Sequence, residues 1–296
     1  MEINETTVLD DRGFVEITGD EAKDFLQNIV TNDVEKISDN FSLFSSILTP
    51  QGKYLYEFFI IKIKNGYLLE CEKESVSEII KIFNFYKLRS KINLIDKSNH
   101  YNSVIISLKK FEEISENNNT KGFTINYNGD PIFLEPRNQK LGAKIISKQN
   151  NVNNVIKNLN LKIIDKNNYY SESFDLGIAQ VNLIKLKDKI FGLENNLDEL
   201  NGIDFKKGCY IGQENTSRIK LRNKLRRRIL PVKKISGDVF ENNIIKYKDK
   251  EIGKIIIDSP YVFGLIKIVD PDLSEFVNED LICKNSKVKI LKPEWI

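Results

Sequence analysis

The sequence predicts an α+β protein made of two α+β lobes and a small C-terminal β-barrel. Three observations support this class. Residues 1–98 mix strand alternation, hairpin turns and helical apolar spacing, and the same mixture recurs over residues 99–228. Residues 229–296 contain only short strands and turns, which is typical of a small barrel. A chain of 296 residues is long enough for two or three hydrophobic cores.

The first lobe, residues 1–98, opens with a strand and a helix. Residues 13–18 alternate as a strand, and Asp20 offers an N-cap for the helix that follows. Residues 54–63 form a long aromatic and β-branched strand, and Asn65-Gly66 is a hairpin signal. Two helices are predicted from apolar residues at helical spacing, namely Ala22, Phe25, Leu26 and Ile29, and Val76, Ile79, Ile80 and Phe83.

The second lobe, residues 99–228, repeats this organisation. Residues 103–108 read as a strand, Asn128-Gly129 joins two short strands, and apolar spacing over residues 152–159 predicts a helix. In the C-terminal domain, residues 252–258, 263–269 and 288–291 are predicted strands separated by turns.

Composition excludes several classes of function. Forty-five basic residues against forty-two acidic ones leave a charge of +3, which does not predict a polyanion-binding surface. Three widely spaced cysteines and one histidine do not suit a zinc site or a Ser–His–Asp triad. No apolar run reaches the ~20 residues of a membrane span, and the start lacks a signal sequence. We therefore expect a cytoplasmic protein with no metal site and no membrane partner.

Residues 205–218 hold the densest group of chemically active side chains. Gly208 and Gly212 bracket Cys209, and Lys206 and Lys207 precede it. Positive charge near a thiol favours the thiolate, the reactive form, although a lone cysteine is more often a small buried apolar residue. We expect Cys209 to be partly exposed and reactive. Cys71 and Cys283, in apolar strands, should be buried.

The segment Lys207-Gly208-Cys209-Tyr210-Ile211-Gly212-Gln213-Glu214, with Arg218, resembles the KGC[FY]xGQExxxR signature of the YgfZ family. That family is related to the glycine cleavage T-protein, an aminomethyltransferase, and to mitochondrial iron–sulfur assembly factors of the same fold. Other similar blocks follow the family order, at residues 9–20, 25–27, 31–34, 50–53, 174–179 and 193–202.

The resemblance implies two α+β lobes around a central folate cavity, with tetrahydrofolate as the cofactor. It also implies a role in the assembly or repair of iron–sulfur proteins, so that iron–sulfur client or assembly proteins would be the partners. The implied functional thiol is Cys209, whose contact with folate, a cluster or a partner stays open. The candidate folate-binding residues are Asp175, Tyr169, Arg12, Glu57, Lys207, Gln213 and Arg218.

Three of these residues depart from the family pattern. Asp175 stands where the relatives have the Glu that faces the pteridine, and a solvated loop Asp is the alternative interpretation. Tyr169 lies where some YgfZ proteins carry a Trp, and a half-buried strand aromatic is equally compatible. Arg12 replaces a second such Trp, and could serve the glutamate tail of folate or stack as a plane.

Two other functions are compatible with the sequence. The T-proteins carry an Asp pair where this chain has Tyr56 and Glu57, so we expect no aminomethyl transfer and interpret Glu57 as an exposed strand charge. The protein is therefore not expected to be a classical enzyme. Residues 218–228 alternate basic and apolar side chains as a strand would, and an RNA-binding module could use that face. No aromatic residues are interleaved there, which argues against nucleic acid.

Overall fold

The computed structural model describes all 296 residues and confirms the α+β class with a closed C-terminal barrel. The six α-helices are α1 (Ala22–Ile29), α2 (Val76–Lys87), α3 (Leu108–Ile114), α4 (Val152–Asn158), α5 (Lys166–Asp175) and α6 (Gln213–Leu221). Strands of the first 163 residues are β1 (Glu5–Leu9), β2 (Arg12–Thr18), β3 (Leu43–Leu48), β4 (Tyr54–Ile63), β5 (Gly66–Glu72), β6 (Asn93–Asp96), β7 (Tyr101–Ile106), β8 (Thr124–Tyr127), β9 (Asp130–Leu134), β10 (Ala143–Lys148) and β11 (Lys162–Ile163). The later strands are β12 (Arg227–Ser236), β13 (Ile244–Tyr247), β14 (Lys250–Ile257), β15 (Phe263–Lys267), β16 (Leu281–Cys283) and β17 (Ser286–Ile290).

The chain forms two compact units. The first comprises residues 1–47, 56–169 and 200–211, and the second comprises residues 48–55, 170–199 and 212–296. The first unit contains a five-stranded sheet in the order β3-β4-β5-β2-β6 and a six-stranded sheet in the order β11-β1-β7-β10-β9-β8. Because β1 pairs with β7, residues 5–9 belong to the second sheet. The division of the chain at residues 98 and 228 stays a prediction.

Local sequence signals explain most of the first unit. The hairpin at Asn65-Gly66 pairs Ile63 with Gly66, as the turn signal predicts. Helix α1 buries its whole predicted stripe. Its N-cap is Glu21 without a side-chain cap bond, so the predicted cap at Asp20 is wrong.

The second unit contains the closed barrel, with strands in the cyclic order β12-β15-β14-β13-β16-β17. Its core consists of buried aliphatic side chains together with Cys283 and Phe276. None of the helices in the structure is both long enough and apolar enough to span a bilayer.

Two segments for which the sequence allowed a strand are helices. Tyr169 lies in α5 with 1% of its surface exposed, so it is not a strand aromatic. Residues 213–221 form α6, and β12 begins only at Arg227. The alternation of basic and apolar residues is typical of a strand with one buried face. In the structure, however, Leu221 is 85% exposed and Thr216 is the buried residue of α6. The residues of α6 include several strong helix formers, and no buried face enforces a period of two.

Candidate functional site

The signature loop before α6 is tied to α1 by Lys207. Its ammonium group donates hydrogen bonds to the backbone carbonyls of Gln27, Val30 and Asn32, at 2.7, 2.6 and 2.9 Å. These bonds use the three protons of the ammonium group and satisfy carbonyls at the C-terminal end of the helix. Burial lowers the pKa of Lys207 to about 8. A folate contact through Lys207 stays a prediction, and it would have to replace one of these bonds.

Three further similar blocks meet at the same place. The side-chain amide of Gln27 donates to Asp33 at 2.8 Å, and the backbone N–H of Val34 donates to the oxygen of Gln27 at 2.8 Å. Thr31 Oγ1 donates to the carbonyl of Gly202 at 2.6 Å. The blocks at residues 25–27, 31–34 and 193–202 thus form one hydrogen-bonded support beneath the signature loop.

The tip of this loop presents Cys209 to solvent. Cys209 is exposed, as predicted, whereas Cys71 and Cys283 are buried. Burial raises the pKa of Cys71 to about 12 and also raises the pKa of Cys283. A side chain added at Gly208 would meet no atom within 4 Å, so the backbone beside the thiol is also open. The loop therefore holds an accessible thiol on a well-anchored base.

The second glycine of the signature has a different environment. Gly212 has a φ of +87°, and a Cβ atom there would lie 2.5 Å from the carbonyl oxygen of Thr49 and 3.3 Å from the Cα of Gly52. Only glycine allows this close approach. Gly212 of the signature therefore packs directly against the turn at residues 50–53, and this contact leaves no room for a side chain at position 212.

Glu57 lies in a buried ionic cluster of the first unit, so its interpretation as an exposed strand charge is wrong. It is 8% exposed, and its carboxylate is 3.5 Å from the guanidinium of Arg137, which also binds Glu135 at 2.9 and 3.0 Å. Burial disfavours the charged form of Arg137, but Glu135, Tyr169 and Glu57 raise its pKa. Glu57 is buried because most residues of strand β4 are covered by the rest of the folded chain.

Arg12 lies in a second buried cluster of the same unit. Its Nε donates to Glu70 at 2.6 Å, and Lys144 Nζ lies 3.0 Å from both carboxylate oxygens of Glu70. Burial alone would raise the pKa of Glu70, but Lys144 and Arg12 lower it to about 2. Arg12 is only 6% exposed, so a role toward folate, which stays a prediction, would require access to this cluster.

The remaining candidates lie in the second unit. Asp175 is the last residue of α5, is exposed and forms no ion pair. A carboxylate at a helix C-terminus opposes the helix dipole, so its position is not explained by helix stability. Gln213 is the first residue of α6, and Arg218 pairs with Glu214 at 3.3 Å. The structure does not form the continuous basic face predicted for residues 218–228, because several of these side chains have acidic partners. These pairs are Lys220 with Asp198, Arg227 with Glu194 and Arg228 with Glu199.

The sequence interpretation missed the partners of the buried carboxylates, which are Arg137, Glu135, Glu70 and Lys144. A signal was present, because Glu70 interrupts the apolar run of β5 and Lys144 that of β10. A charge inside a strand that is otherwise apolar requires a buried partner of opposite sign.

The fold is that of an aminomethyltransferase of the glycine cleavage system. The structure matches the glycine cleavage system aminomethyltransferase T from Bartonella henselae with a TM-score of 0.75 over 99% of this chain and 86% of that chain. The sequence identity is 10%, so this likeness concerns the fold alone.

In sequence, the chain is similar to proteins described as iron–sulfur cluster assembly factor IBA57 homolog, mitochondrial. The relative from Neurospora crassa is 26% identical over 290 residues, which are 95% of this chain and 63% of the relative. The relative from Dictyostelium discoideum is 27% identical over 265 residues, covering 80% of this chain and 64% of the relative. The relative from Mycosarcoma maydis is 27% identical over 234 residues, covering 75% and 55%. The chain thus spans less than two thirds of the length of these relatives. No protein-family model matches it.

These relatives correct the predicted location. The expectation of a cytoplasmic protein is wrong, because the similar proteins are mitochondrial by name. Three cysteines without a disulfide suit a reducing compartment, but they do not distinguish the cytoplasm from another compartment of that kind.

Proposed function

We propose that this protein assists the assembly or repair of iron–sulfur proteins, as a YgfZ-type protein that binds tetrahydrofolate and uses Cys209 as its functional thiol. The observation that carries the proposal is the similarity to iron–sulfur assembly factors over 95% of the chain. The exposed thiol on the anchored signature loop supports it, because a partner or a cluster can reach that sulfur without unfolding the protein.

The carboxylate of Asp175 supports the folate part of the proposal. A pteridine ring needs a carboxylate for its hydrogen-bond donors and aromatic surface for its faces. Asp175 supplies an exposed carboxylate with no ion-pair partner. We propose that this protein binds tetrahydrofolate and that Asp175 recognises its pteridine edge.

A rescue experiment tests the assembly function. A strain that lacks this protein should lose activity in several iron–sulfur enzymes, and wild-type protein should restore it. Cys209→Ala and Cys209→Ser should both fail to restore it although the protein is folded. Cys283→Ala, which removes a buried thiol, is the matched control and should rescue. Full rescue by both Cys209 variants would reject the role of the thiol, and unchanged enzyme activities in the strain would reject the function.

Calorimetry with tetrahydrofolate tests the ligand separately. Wild-type protein should bind it, and Asp175→Asn should weaken binding by about 1–3 kcal/mol because a charged hydrogen-bond partner is lost. Asp249→Asn, at an exposed turn of the barrel, should leave the affinity unchanged. An absence of binding to the wild type would contradict the folate proposal and leave the assembly proposal intact.

A further inference from the structure

The outer surface of the barrel carries a cluster of lysines that the proposed function does not use. We define the basic face as Lys233 on β12, Lys287 and Lys289 on β17, and Lys246 on β13, arranged around Ile282 on β16. The strand register places them side by side: Ile282 lies opposite both Lys246 and Lys287, and Lys233 lies opposite Lys289. Ile282 is 49% exposed at the centre of this arrangement.

Two of these four lysines have an acidic neighbour and two have none. Lys289 pairs with Asp280 at 3.2 Å, and Glu251 lies opposite Lys246 in the strand register without forming an ion pair. Lys233 and Lys287 are exposed and form no ion pair. Residues 281–292 contain four lysines and no acidic residue. The face is therefore positive around an apolar centre.

Folding does not account for the arrangement. Like charges directly opposite each other on neighbouring strands destabilise a sheet, and Lys233 faces Lys289 in this way. Lysines often protect the open edges of sheets from aggregation, but this barrel is closed and has no such edge at β12, β17, β16 or β13. The juxtaposition of Lys233 and Lys289 thus opposes stability without serving as edge protection.

We propose that the basic face is a docking surface for an acidic patch of a partner protein, with Ile282 at the apolar centre of the contact. An apolar centre with a charged rim is the usual composition of such a contact, and complementary charge steers the two proteins together. A second copy of this chain would bring lysines against lysines. Single-stranded nucleic acid normally stacks on aromatic side chains, and the face has none. A single half-exposed isoleucine offers too little apolar surface to anchor the face in a bilayer.

Photo-crosslinking in cells tests this surface on the full chain. With p-benzoylphenylalanine in place of Ile282, we expect an adduct to another protein through a peptide rich in Asp and Glu. The double variant Lys233→Glu/Lys287→Glu should reduce the adduct about tenfold, and Lys233→Gln/Lys287→Gln should reduce it less. The control Lys109→Glu/Lys157→Glu makes the same change in net charge at exposed lysines of α3 and α4 and should keep the full yield.

The charge-reversed variant Lys233→Glu/Lys287→Glu also distinguishes a loss of docking from a loss of stability. The carboxylate introduced by Lys233→Glu would face Lys289, so the melting temperature should stay the same or rise while the adduct is lost. The proposal is overturned by an adduct to a second copy of this chain, to RNA or to lipid. It is equally overturned by an absent adduct, by one insensitive to charge reversal, or by binding to phosphatidylglycerol vesicles that the reversal abolishes. This inference does not depend on folate binding or on Cys209.

Discussion

At the scale of single residues, buried charge is the feature that sets the first unit apart. Glu70 forms ion pairs with Arg12 and Lys144, and Arg137 forms ion pairs with Glu57 and Glu135. Each of these six residues has less than one tenth of its surface exposed. Such clusters are costly to break, because removing one member leaves the others charged in a medium of low polarity. A contribution of these clusters to specificity or binding does not depend on whether they raise the net free energy of unfolding.

The carboxylate of Glu70 should make stability depend on pH in the acidic range. Its pKa in the folded protein is about 2, below the ordinary 4.5, so its contribution is present above about pH 4.5 and is lost as the pH falls toward 2. The difference corresponds to about 3 kcal/mol. Urea unfolding of wild type and Glu70→Gln should give a gap in unfolding free energy that is large at pH 7 and shrinks at pH 3. A gap that does not change with pH would contradict this assignment.

The two neighbouring lysines of the signature should behave differently. Lys207→Met removes three charged hydrogen bonds to carbonyl groups, and we expect the free energy of unfolding to fall by about 2–4 kcal/mol. Lys206→Met, at an exposed neighbour, should change it by less than about 0.5 kcal/mol. Denaturant unfolding measures both. Equal effects would show that Lys207 does not anchor the loop.

At the scale of elements, the signature combines an open segment and a tightly packed one. Lys207, Gly208 and Cys209 form a loop whose tip is accessible, whereas Gly212 is the N-cap of α6 and lies in close contact with the turn at residues 50–53. The two glycines therefore serve different purposes although they bracket the same thiol.

Substitution of each glycine by alanine should separate these purposes. Gly212→Ala should destabilise the protein by about 1–3 kcal/mol, because φ is +87° and the new Cβ would lie 2.5 Å from a carbonyl oxygen. Gly208→Ala meets no atom within 4 Å and should change stability by less than about 0.5 kcal/mol. Thermal unfolding measures the difference. A Gly208→Ala variant as unstable as Gly212→Ala would mean that the loop tip is packed.

At the scale of the whole molecule, the structure has the fold of an aminomethyltransferase, and the resemblance to the T-proteins places Tyr56 and Glu57 where those proteins carry an Asp pair. Tyr56 holds the first position, and Glu57 is engaged with Arg137 in the buried cluster. A shared fold at 10% sequence identity does not imply a shared reaction. The reaction has to be argued from the side chains.

We therefore expect no aminomethyl transfer. A catalytic group displaced by ~1 Å can lose about a hundredfold in rate, and the resemblance to the T-proteins places Tyr56 where one of their two carboxylates stands. The assay measures turnover of an aminomethylated lipoyl carrier with tetrahydrofolate, with an active T-protein as the positive control. Turnover above background would contradict this expectation and would make the protein a folate-dependent transferase.

Local patterns were sufficient for much of the fold. The apolar stripe of α1, the hairpin at Asn65-Gly66 and the alternation of the barrel strands depend on residues close in sequence, and the structure confirms them. Strand β1 was missed, because its five residues form a strand only by pairing with β7, about a hundred residues later.

The sequence by itself determined the α+β class, the barrel, the signature loop and the exposure of Cys209 relative to the other two cysteines. Tertiary structure alone decided that Glu57 is buried and that the ammonium group of Lys207 binds the carbonyl groups at the end of α1. The reason is physical: period and turn chemistry act between near neighbours, whereas the burial of a charge depends on a partner from a distant strand. Arg137 stands 80 residues from Glu57, and no local pattern connects them.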